Sequence, residues 1–443
     1  MLGRMRLLDS KALTKIQSII LIFIIVVAGV LGVFYFYLID DSQSKNTIKI
    51  GVLGDLDMHM GKSVLEGVLL AAEQINAEGG ILGRKIELFT EDSDWEIHAQ
   101  DTVVAITALN KLLYVHNVDY VITPDGLPFM FSYQDTVSDH KKILFGVAAT
   151  SDEYTQRVLD DYPKYKYFFR TFPNETHAIM GFCDSLVSLR EYSGFNKIAF
   201  LADEFFADSS PLFANFISQG YGFEVVYQNT FASGTVDFSS YLSAVEESGA
   251  EILHPWIGSE EGIFLVKEWY DRQSPFVLWG YNGLVGDARG WELTDGKCEY
   301  TTFGGFAVTA GYPLTNHTLP MRDAYFERWG KYPIHVAAAA YDTLRFILFD
   351  ALERAQTTDT ETVISALEQT SIETSLARDF VFTKSHDVMG STNINNPDED
   401  YMVGMMFQWQ NGKQVPMTPR KIKDEIGATY KFPPWPGPWD EIS

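Results

Sequence analysis

Apolar and polar residues follow a strand-then-helix pattern directly after residue 46. The string IKIGV at residues 48–52 alternates apolar side chains and predicts a short β-strand. Apolar residues then recur at helical spacing over residues 64–75, and Gly79-Gly80 follows as a helix stop. Ser63-x-x-Glu66 matches a capping box, so we expect the first helix to begin there.

The same alternation continues in two runs separated by RTFP at residues 170–173. Each run has about the length of one compact domain. Two runs of β-α units predict two doubly wound sheets covered by helices. The predicted strands are KIELFTED, VDYVIT and KKILFGVA before residue 170, and KIAFLAD, FEVVYQ, AEILHPWIG and PFVLWG after it. The predicted helices span about residues 96–116, 181–192, 213–219, 238–248 and 261–272.

The last third of the chain has a different pattern. Long amphipathic helices are predicted at residues 337–355 and 360–369. Antiparallel strands are predicted in DFVFT and in DYMVGMMFQWQNGKQVP. The final string KFPPWPGPWDEIS is too rich in proline for a helix or a central strand, so we expect an extended strip or a loose tail.

The N-terminus carries an uninterrupted apolar run. Residues 19–39 contain no charge and match the roughly 20 residues that a membrane-crossing helix needs. Four basic side chains precede this run and place the N-terminus in the cytoplasm. The run ends in FYFYLID, which suits a membrane interface better than a cleavage site, so an uncleaved anchor is preferred over a cleaved signal peptide. The bulk of the chain is then extracytoplasmic, attached to the cell membrane by a single pass.

Charge and motifs exclude several classes of function. The net charge is −25, spread along the chain, which disfavours nucleic acid as a partner. Gly61-Lys62-Ser63 lacks the glycine that a phosphate loop needs five positions earlier, where Leu56 stands. Histidines do not cluster at metal-ligand spacing, and no zinc-protease or serine-hydrolase string occurs. We expect no enzyme activity, no cofactor and no metal. For Cys183 and Cys298, two buried free thiols are preferred over a disulfide.

One longer string gives a family resemblance. IKIGVLGDL, followed by EGVLLAAEQINAEGGILGRKIEL, resembles the start of type I periplasmic solute-binding proteins of branched-chain amino acid (Leu/Ile/Val) ABC transporters. Further similar strings run to about residue 420. The resemblance implies an α/β fold with two Rossmann-like lobes, joined by three crossovers near residues 170–173, 304–307 and 382–390. It also implies ABC permease and ATPase subunits as partners.

These expectations divide the chain into six parts. The predicted parts are a cytoplasmic basic segment at 1–18, a transmembrane anchor at 19–39, a linker at 40–46, a first lobe at 47–170 and 309–382, a second lobe at 173–303 and 390–420, and a proline- and aromatic-rich tail at 421–443.

The resemblance also implies a ligand pocket between the lobes. In the first lobe it assigns a covering residue, a loop after VIT that meets a carboxylate, and an Ala-Ala-Thr string whose carbonyl takes an ammonium and whose hydroxyl takes a carboxylate. In the second lobe it assigns two aromatic wall residues and an acid that pairs with the ammonium. The matching residues are Met60, Gly126, Leu127, Ala148, Ala149, Thr150, Phe206, Trp256 and Asn282.

Three of these positions depart from the family pattern. Leu127 replaces a serine, Phe206 replaces a tyrosine, and Asn282 replaces the acid. A buried ammonium without a carboxylate partner is costly. We therefore expect an amide-like or organic-acid solute to bind better than leucine, isoleucine or valine. A ligand-sensing ectodomain of a signalling system is the alternative function, although a sensor would be expected to continue through a second membrane span into a signalling domain.

Overall fold

The structure, a computed structural model, describes residues 47–94, 102–126, 128–390, 401–402 and 404–442. The predicted basic segment, transmembrane run and linker at residues 1–46 lie outside the described residues. Within the described ranges, no helix is both long and apolar enough to cross a membrane.

A five-stranded parallel sheet forms the centre of the first lobe. Its spatial order is β2-β1-β3-β4-β5, with the first strand in the interior of the sheet. Every residue of the third, fourth and fifth strands is buried, as expected for a parallel sheet covered on both faces. The five strands are β1 (Thr47–Gly54), β2 (Lys85–Asp92), β3 (Tyr120–Thr123), β4 (Ile143–Gly146) and β5 (Phe168–Arg170).

A seven-stranded mixed sheet forms the second lobe, in the order β14-β13-β10-β9-β8-β6-β7. Its central strands are parallel, and a hairpin adds two antiparallel strands at one edge. A separate two-stranded ribbon pairs β11 with β12. These strands are β6 (Lys197–Asp203), β7 (Glu224–Phe231), β8 (Ile252–Ile257), β9 (Val277–Asn282), β10 (Thr302–Gly305), β11 (Ser371–Ile372), β12 (Phe380–Val381), β13 (Met405–Gln410) and β14 (Lys413–Thr418).

Helices cover both sheets. The α-helices are α1 (His59–Ala77), α2 (Thr102–Asn110), α3 (Met130–His140), α4 (Glu153–Asp160), α5 (Tyr162–Tyr165), α6 (Glu175–Ser193), α7 (Ser209–Tyr221), α8 (Ser239–Glu247), α9 (Glu261–Arg272), α10 (Gly290–Leu293), α11 (Ala307–Ala310), α12 (Thr318–Trp329), α13 (His335–Asp342), α14 (Phe349–Ala355), α15 (Thr360–Leu367) and α16 (Arg420–Glu425). One-turn or π-type segments lie at Lys111–Val115, Glu204–Phe206, Thr343–Leu348 and Pro438–Glu441. The predicted helix start near residue 96 lies outside the described residues.

Each lobe has its own hydrophobic core. The core of the first lobe combines residues from β1 to β5 with residues from α13 to α15, far apart in the sequence. Helices α1 and α13 pack so closely that a Cβ on Gly67 would lie 2.1 Å from the Ala337 carbonyl oxygen. The long helices that follow α12 therefore pack on the sheet of the first lobe.

The C-terminal tail packs on the second lobe. Trp435 is buried, and its indole N–H donates to the Ser274 carbonyl at 3.0 Å. Its ring lies 5.3 Å from the Trp269 ring, edge to face. The string is therefore packed rather than loose, but Pro438–Glu441 forms a 3-10 turn and not an extended strip.

The predicted capping box is wrong. Helix α1 begins at His59, four residues earlier, and its first turn is closed by Lys62 N–H donating to the Met58 carbonyl at 2.9 Å. Ser63 and Glu66 therefore lie inside the helix and are buried. Glu66 forms an ion pair with Lys331 at 2.8 Å, which explains its position without a capping role.

Candidate functional site: a cleft between the lobes

A cleft of about 450 Å³ lies where the two lobes meet. Its volume is within the usual range for small-molecule sites. The first lobe contributes Met58, His59, Met60, Thr150, Ile334 and His335. The second lobe contributes Ala178, Gly181, Phe182, Gly258, Tyr281, Gly283, Leu284, Gly286, Asp287, Gly304, Gly305 and Gly404 to Met406, and the segments that connect the lobes contribute Phe172, Pro173, Phe306 and Thr309.

Phenylalanine, tyrosine and methionine provide most of the larger apolar side chains in the walls of this cleft. Aromatic rings and methionine thioethers present flat or adaptable apolar surface, which suits a solute with an apolar body. The wall residues of these two kinds are Phe172, Phe182, Tyr281, Phe306, Met58, Met60, Met405 and Met406.

Two histidines provide polar groups in the first-lobe wall. The His335 ring stacks against Phe172 at 5.4 Å and against Phe306 at 5.0 Å. Burial lowers the pKa of His335 to about 4, and burial followed by the charge of Lys331 lowers the pKa of His59. Both imidazoles are therefore neutral at pH 7 and can offer a hydrogen-bond donor or acceptor without a charge.

Asp287 is the one acid among the described residues that line the cleft. Its Oδ1 accepts from the Arg289 backbone N–H at 2.9 Å, and the Arg289 Nε lies 3.6 Å from the same oxygen. Among the described residues that line the cleft, none is lysine or arginine. The wall thus combines apolar surface, neutral imidazoles and hydroxyls with one partly neutralised carboxylate.

Two of the predicted first-lobe residues, Met60 and Thr150, line the cleft. Both are exposed, Met60 at 47%. Ala148 and Ala149 precede Thr150 after β4 but are not part of the cleft wall, and Ala149 is fully buried. Gly126 lies at the same sheet edge, after β3, outside the wall. Leu127 lies outside the described residues.

The predicted second-lobe residues lie one layer behind the cleft wall. Phe206 packs against Trp256 at 5.5 Å and against Tyr281 at 5.7 Å, and of these three rings only Tyr281 lines the cleft. Asn282 is fully buried. Its amide nitrogen donates to the Gly262 carbonyl at 3.0 Å, and its oxygen accepts from the Val285 N–H at 3.3 Å. Asn282 thus joins the end of β9 to the start of α9.

Most of the cleft residues that sequence reasoning missed come from the second lobe, and others come from the predicted crossovers. RTFP and residues 304–307 were predicted to be crossovers, but Phe172 and Phe306 were not assigned to the pocket. Residues that connect two lobes lie at the base of the cleft between them. The predicted crossovers were therefore the signal that could have identified Phe172 and Phe306. His335, Asp287 and Met405 have no comparable local motif, because they reach the cleft only through the fold.

A further prediction concerns the two cysteines. Cys183 and Cys298 are buried free thiols, as preferred from the sequence, and burial raises the pKa of each to about 12. Such thiols are protonated and unreactive at neutral pH.

Comparison with known proteins agrees with the fold. A family model described as periplasmic binding protein matches residues 47–395. A Leu/Ile/Val-binding protein homolog from Brucella suis is 25% identical over 378 residues, covering 81% of this chain and 88% of the relative.

Two solved structures show the same fold. The LivJ substrate-binding protein of a branched-chain amino acid transporter from Streptococcus pneumoniae, in complex with isoleucine, has a TM-score of 0.65 at 19% identity and covers 84% of this chain and 99% of its own. A solute-binding protein of an ABC transporter from Rhodopseudomonas palustris, in complex with 3,4-dihydroxybenzoic acid, has a TM-score of 0.65 at 16% identity and covers 84% of this chain and 96% of its own.

The chain therefore belongs to the periplasmic binding protein family. Its function is to bind a solute outside the cytoplasm, and it is a binding receptor, not an enzyme.

Proposed function

We propose that this protein is the receptor of an ABC importer and captures a small solute with a flat or apolar body and an uncharged or acidic polar end. The observation that carries the proposal is the cleft of about 450 Å³, which both lobes and the crossovers line. Closure of two lobes around such a cleft removes a bound solute from water and creates a distinct surface for the permease.

The composition of the wall supports an aromatic or branched apolar body. Phe172, Phe182, Tyr281 and Phe306 offer ring faces, and the methionines fill the space between them. The two solved relatives hold isoleucine and 3,4-dihydroxybenzoic acid, so this fold accommodates both an amino acid and an aromatic acid. The aromatic wall favours the second kind of body here.

The polar groups support a solute without an ammonium. Asn282 stands where the resemblance expects an acid. Both side-chain polar atoms of Asn282 are engaged by backbone groups. Asp287 lines the cleft but already accepts from Arg289. We propose that Thr150 and the neutral imidazoles hold the polar end, while Met60 covers the body. In this proposal the loops that contain Gly126, Ala148 and Ala149 shape the cleft without direct contact from these three residues. The rings of Phe206 and Trp256 support Tyr281 from behind.

A thermal-shift screen tests this proposal. A ligand at 100 times its dissociation constant adds about 2.7 kcal/mol of stability. Benzoate, benzamide and phenylalanine share the same ring and differ in the polar end, and leucine represents the branched-chain amino acids. We expect shifts with benzoate or benzamide and smaller shifts with the two amino acids. A shift with leucine at micromolar concentration and none with the aromatic compounds would contradict the proposed solute class.

We also propose that residues 19–39 anchor the protein in the cell membrane with the lobes outside. The charge-free run and the basic residues before it support this orientation. Protease applied to intact cells should release a fragment that begins near residues 40–47. Protection of the whole chain, or a mature N-terminus between residues 34 and 44, would contradict the anchor.

A further inference from the structure

A buried arginine lies beneath the loop that carries Thr150. Arg170 ends β5 at the first crossover, is fully buried and does not line the cleft. Its Nη1 donates to three successive carbonyl oxygens, those of Ala149 and Thr150 at 3.0 Å each and that of Ser151 at 2.6 Å. These three carbonyls therefore face a cation in the protein interior.

The charge of Arg170 is balanced by a residue more than 200 positions later in the chain. Asp387 follows β12, and its two carboxylate oxygens accept from Arg170 Nε at 2.7 Å and from Nη2 at 2.5 Å. Arg170 Nη2 also donates to the Thr155 hydroxyl at 3.0 Å. A bidentate pair of this kind fixes the plane of the guanidinium as well as its position.

The same network reaches the second lobe. The Asn174 amide donates to Asp387 at 2.8 Å, while its oxygen caps α6. The Glu175 backbone N–H, in the first turn of α6, donates to the Thr150 carbonyl at 2.8 Å. The loop at residues 149–151 is thus held both by Arg170 and by the first helix of the second lobe.

We propose that Arg170 is the positioning residue of the loop at residues 149–151, and that it excludes a ligand ammonium from this loop. An ammonium needs carbonyl or carboxylate oxygens directed at it. Here the carbonyl oxygens are directed at a fixed guanidinium, which also repels a second positive charge. The polar end of a solute beside Thr150 is therefore neutral or anionic. This second half of the inference rests on the proposed function, whereas the positioning role of Arg170 does not.

Asp287 is the competing group, because it is the carboxylate in the cleft wall. An ammonium that bound beside Asp287 would avoid the loop at residues 149–151. The variant Asp287→Asn separates this possibility from the proposed one, since it removes the carboxylate and leaves the Arg170 network intact.

The positioning role is tested without any solute. In the double variant R170Q/D387N neither partner is left as an unpaired buried charge, which is the costly outcome of a single replacement. Arg170→Lys is the second variant, because it keeps the charge but loses the planar fork. Arg157→Gln is the control, since Arg157 also donates to a carbonyl of the first lobe, that of Phe131 at 2.9 Å, and does not line the cleft.

Amide hydrogen exchange of the Glu175 N–H and of residues 149–153 is the first measurement. We expect exchange at least about tenfold faster in the double variant and in Arg170→Lys, because a lost hydrogen bond to a charged group is worth about 1.5–3 kcal/mol. Arg157→Gln should leave it unchanged. Unchanged exchange in whichever of the two Arg170 variants folds would overturn the positioning role.

Relative affinity for 4-methylpentanoate and leucine is the second measurement, because the two share a carbon skeleton and differ in the ammonium. We expect the wild type and Asp287→Asn to prefer 4-methylpentanoate by about tenfold or more, and the double variant to lose part of that preference. Tighter binding of leucine by the wild type would overturn the exclusion. Binding of neither compound at millimolar concentration would count against the proposed solute class, and hydrogen exchange alone would then decide the role of Arg170.

Discussion

Gly258 allows the cleft to be filled without disturbing the lobes. It lies in the loop after β8, lines the cleft and is exposed. A Cβ at this position would meet Phe206 at 3.5 Å and Asp203 at 3.9 Å, which are ordinary van der Waals distances. Its N–H donates to Asp203 Oδ2 at 2.7 Å, and any residue except proline retains that bond. The variant Gly258→Leu should therefore fold normally and place its side chain in the cleft.

Gly258→Leu should lower the affinity for the solute without destabilising the fold. Inserting extra methylene groups into a packed contact costs about 1–3 kcal/mol. In the free protein the cleft has room for the leucine, so this cost arises only when a solute is bound. The corresponding loss of affinity is about five- to 150-fold. Melting temperature should stay the same or rise slightly, because replacing glycine restricts the unfolded chain.

Isothermal titration with the solute identified in the thermal-shift screen measures this loss. Gly220→Leu is the matched control, because Gly220 lies on α7 of the same lobe, is exposed and has nothing near its Cβ position. We expect the control to bind like the wild type. Equal affinity in Gly258→Leu and the wild type, with both folded, would refute the assignment of this cleft as the binding site.

Three further predictions test separate parts of the structure. Thr150→Val keeps the shape of the side chain and removes its hydroxyl, so calorimetry should show affinity about ten- to hundredfold lower with an unchanged melting temperature; unchanged affinity would remove Thr150 from the site. Trp435→Ala should cost about 3–5 kcal/mol in urea unfolding, and no loss would show that the tail is loose. Burial raises the pKa of Asp342 to about 7 from an ordinary 3.8. Between pH 3.8 and pH 7 the folded state therefore retains a proton that the unfolded state releases, and the free energy of unfolding falls as pH rises through this window. Asp342→Asn should therefore gain about 2 kcal/mol relative to the wild type between pH 5 and pH 7 in urea titrations, and a constant difference would contradict the raised pKa.

Local patterns predicted the strands and helices well because the spacing of apolar residues reflects which side of each element is buried. KIELFTED is strand β2 as predicted, and the helix expected at residues 261–272 is α9 (Glu261–Arg272). The hairpin near the C-terminus has its turn at Asn411-Gly412, where both residues have positive φ, as a two-residue turn requires. The capping box failed because a polar residue inside a helix can be buried by a distant partner, here Lys331 for Glu66.

The cleft was predictable only in part because its wall is assembled from distant segments. Thr150 and Met60 follow strands of one lobe, where open α/β sheets place their ligands, and both line the cleft. His335 begins a helix whose position depends on the packing of α13 against α1, far away in the sequence. A carbonyl of the Ala148-Ala149-Thr150 string was expected to face a ligand ammonium, and the contact of the Ala149 and Thr150 carbonyls with Arg170 could not be predicted without the fold.

Native mass spectrometry of the protein purified without denaturation shows whether the solute binds in the cleft between the lobes. We expect the wild type to retain a small molecule, or to take up benzoate or benzamide when these are added, with a mass that fits a cleft of about 450 Å³. Gly258→Leu should show that bound mass at much lower occupancy, while Gly220→Leu should show it unchanged. The same bound mass at the same occupancy in all three proteins would show that the solute binds elsewhere and not in this cleft.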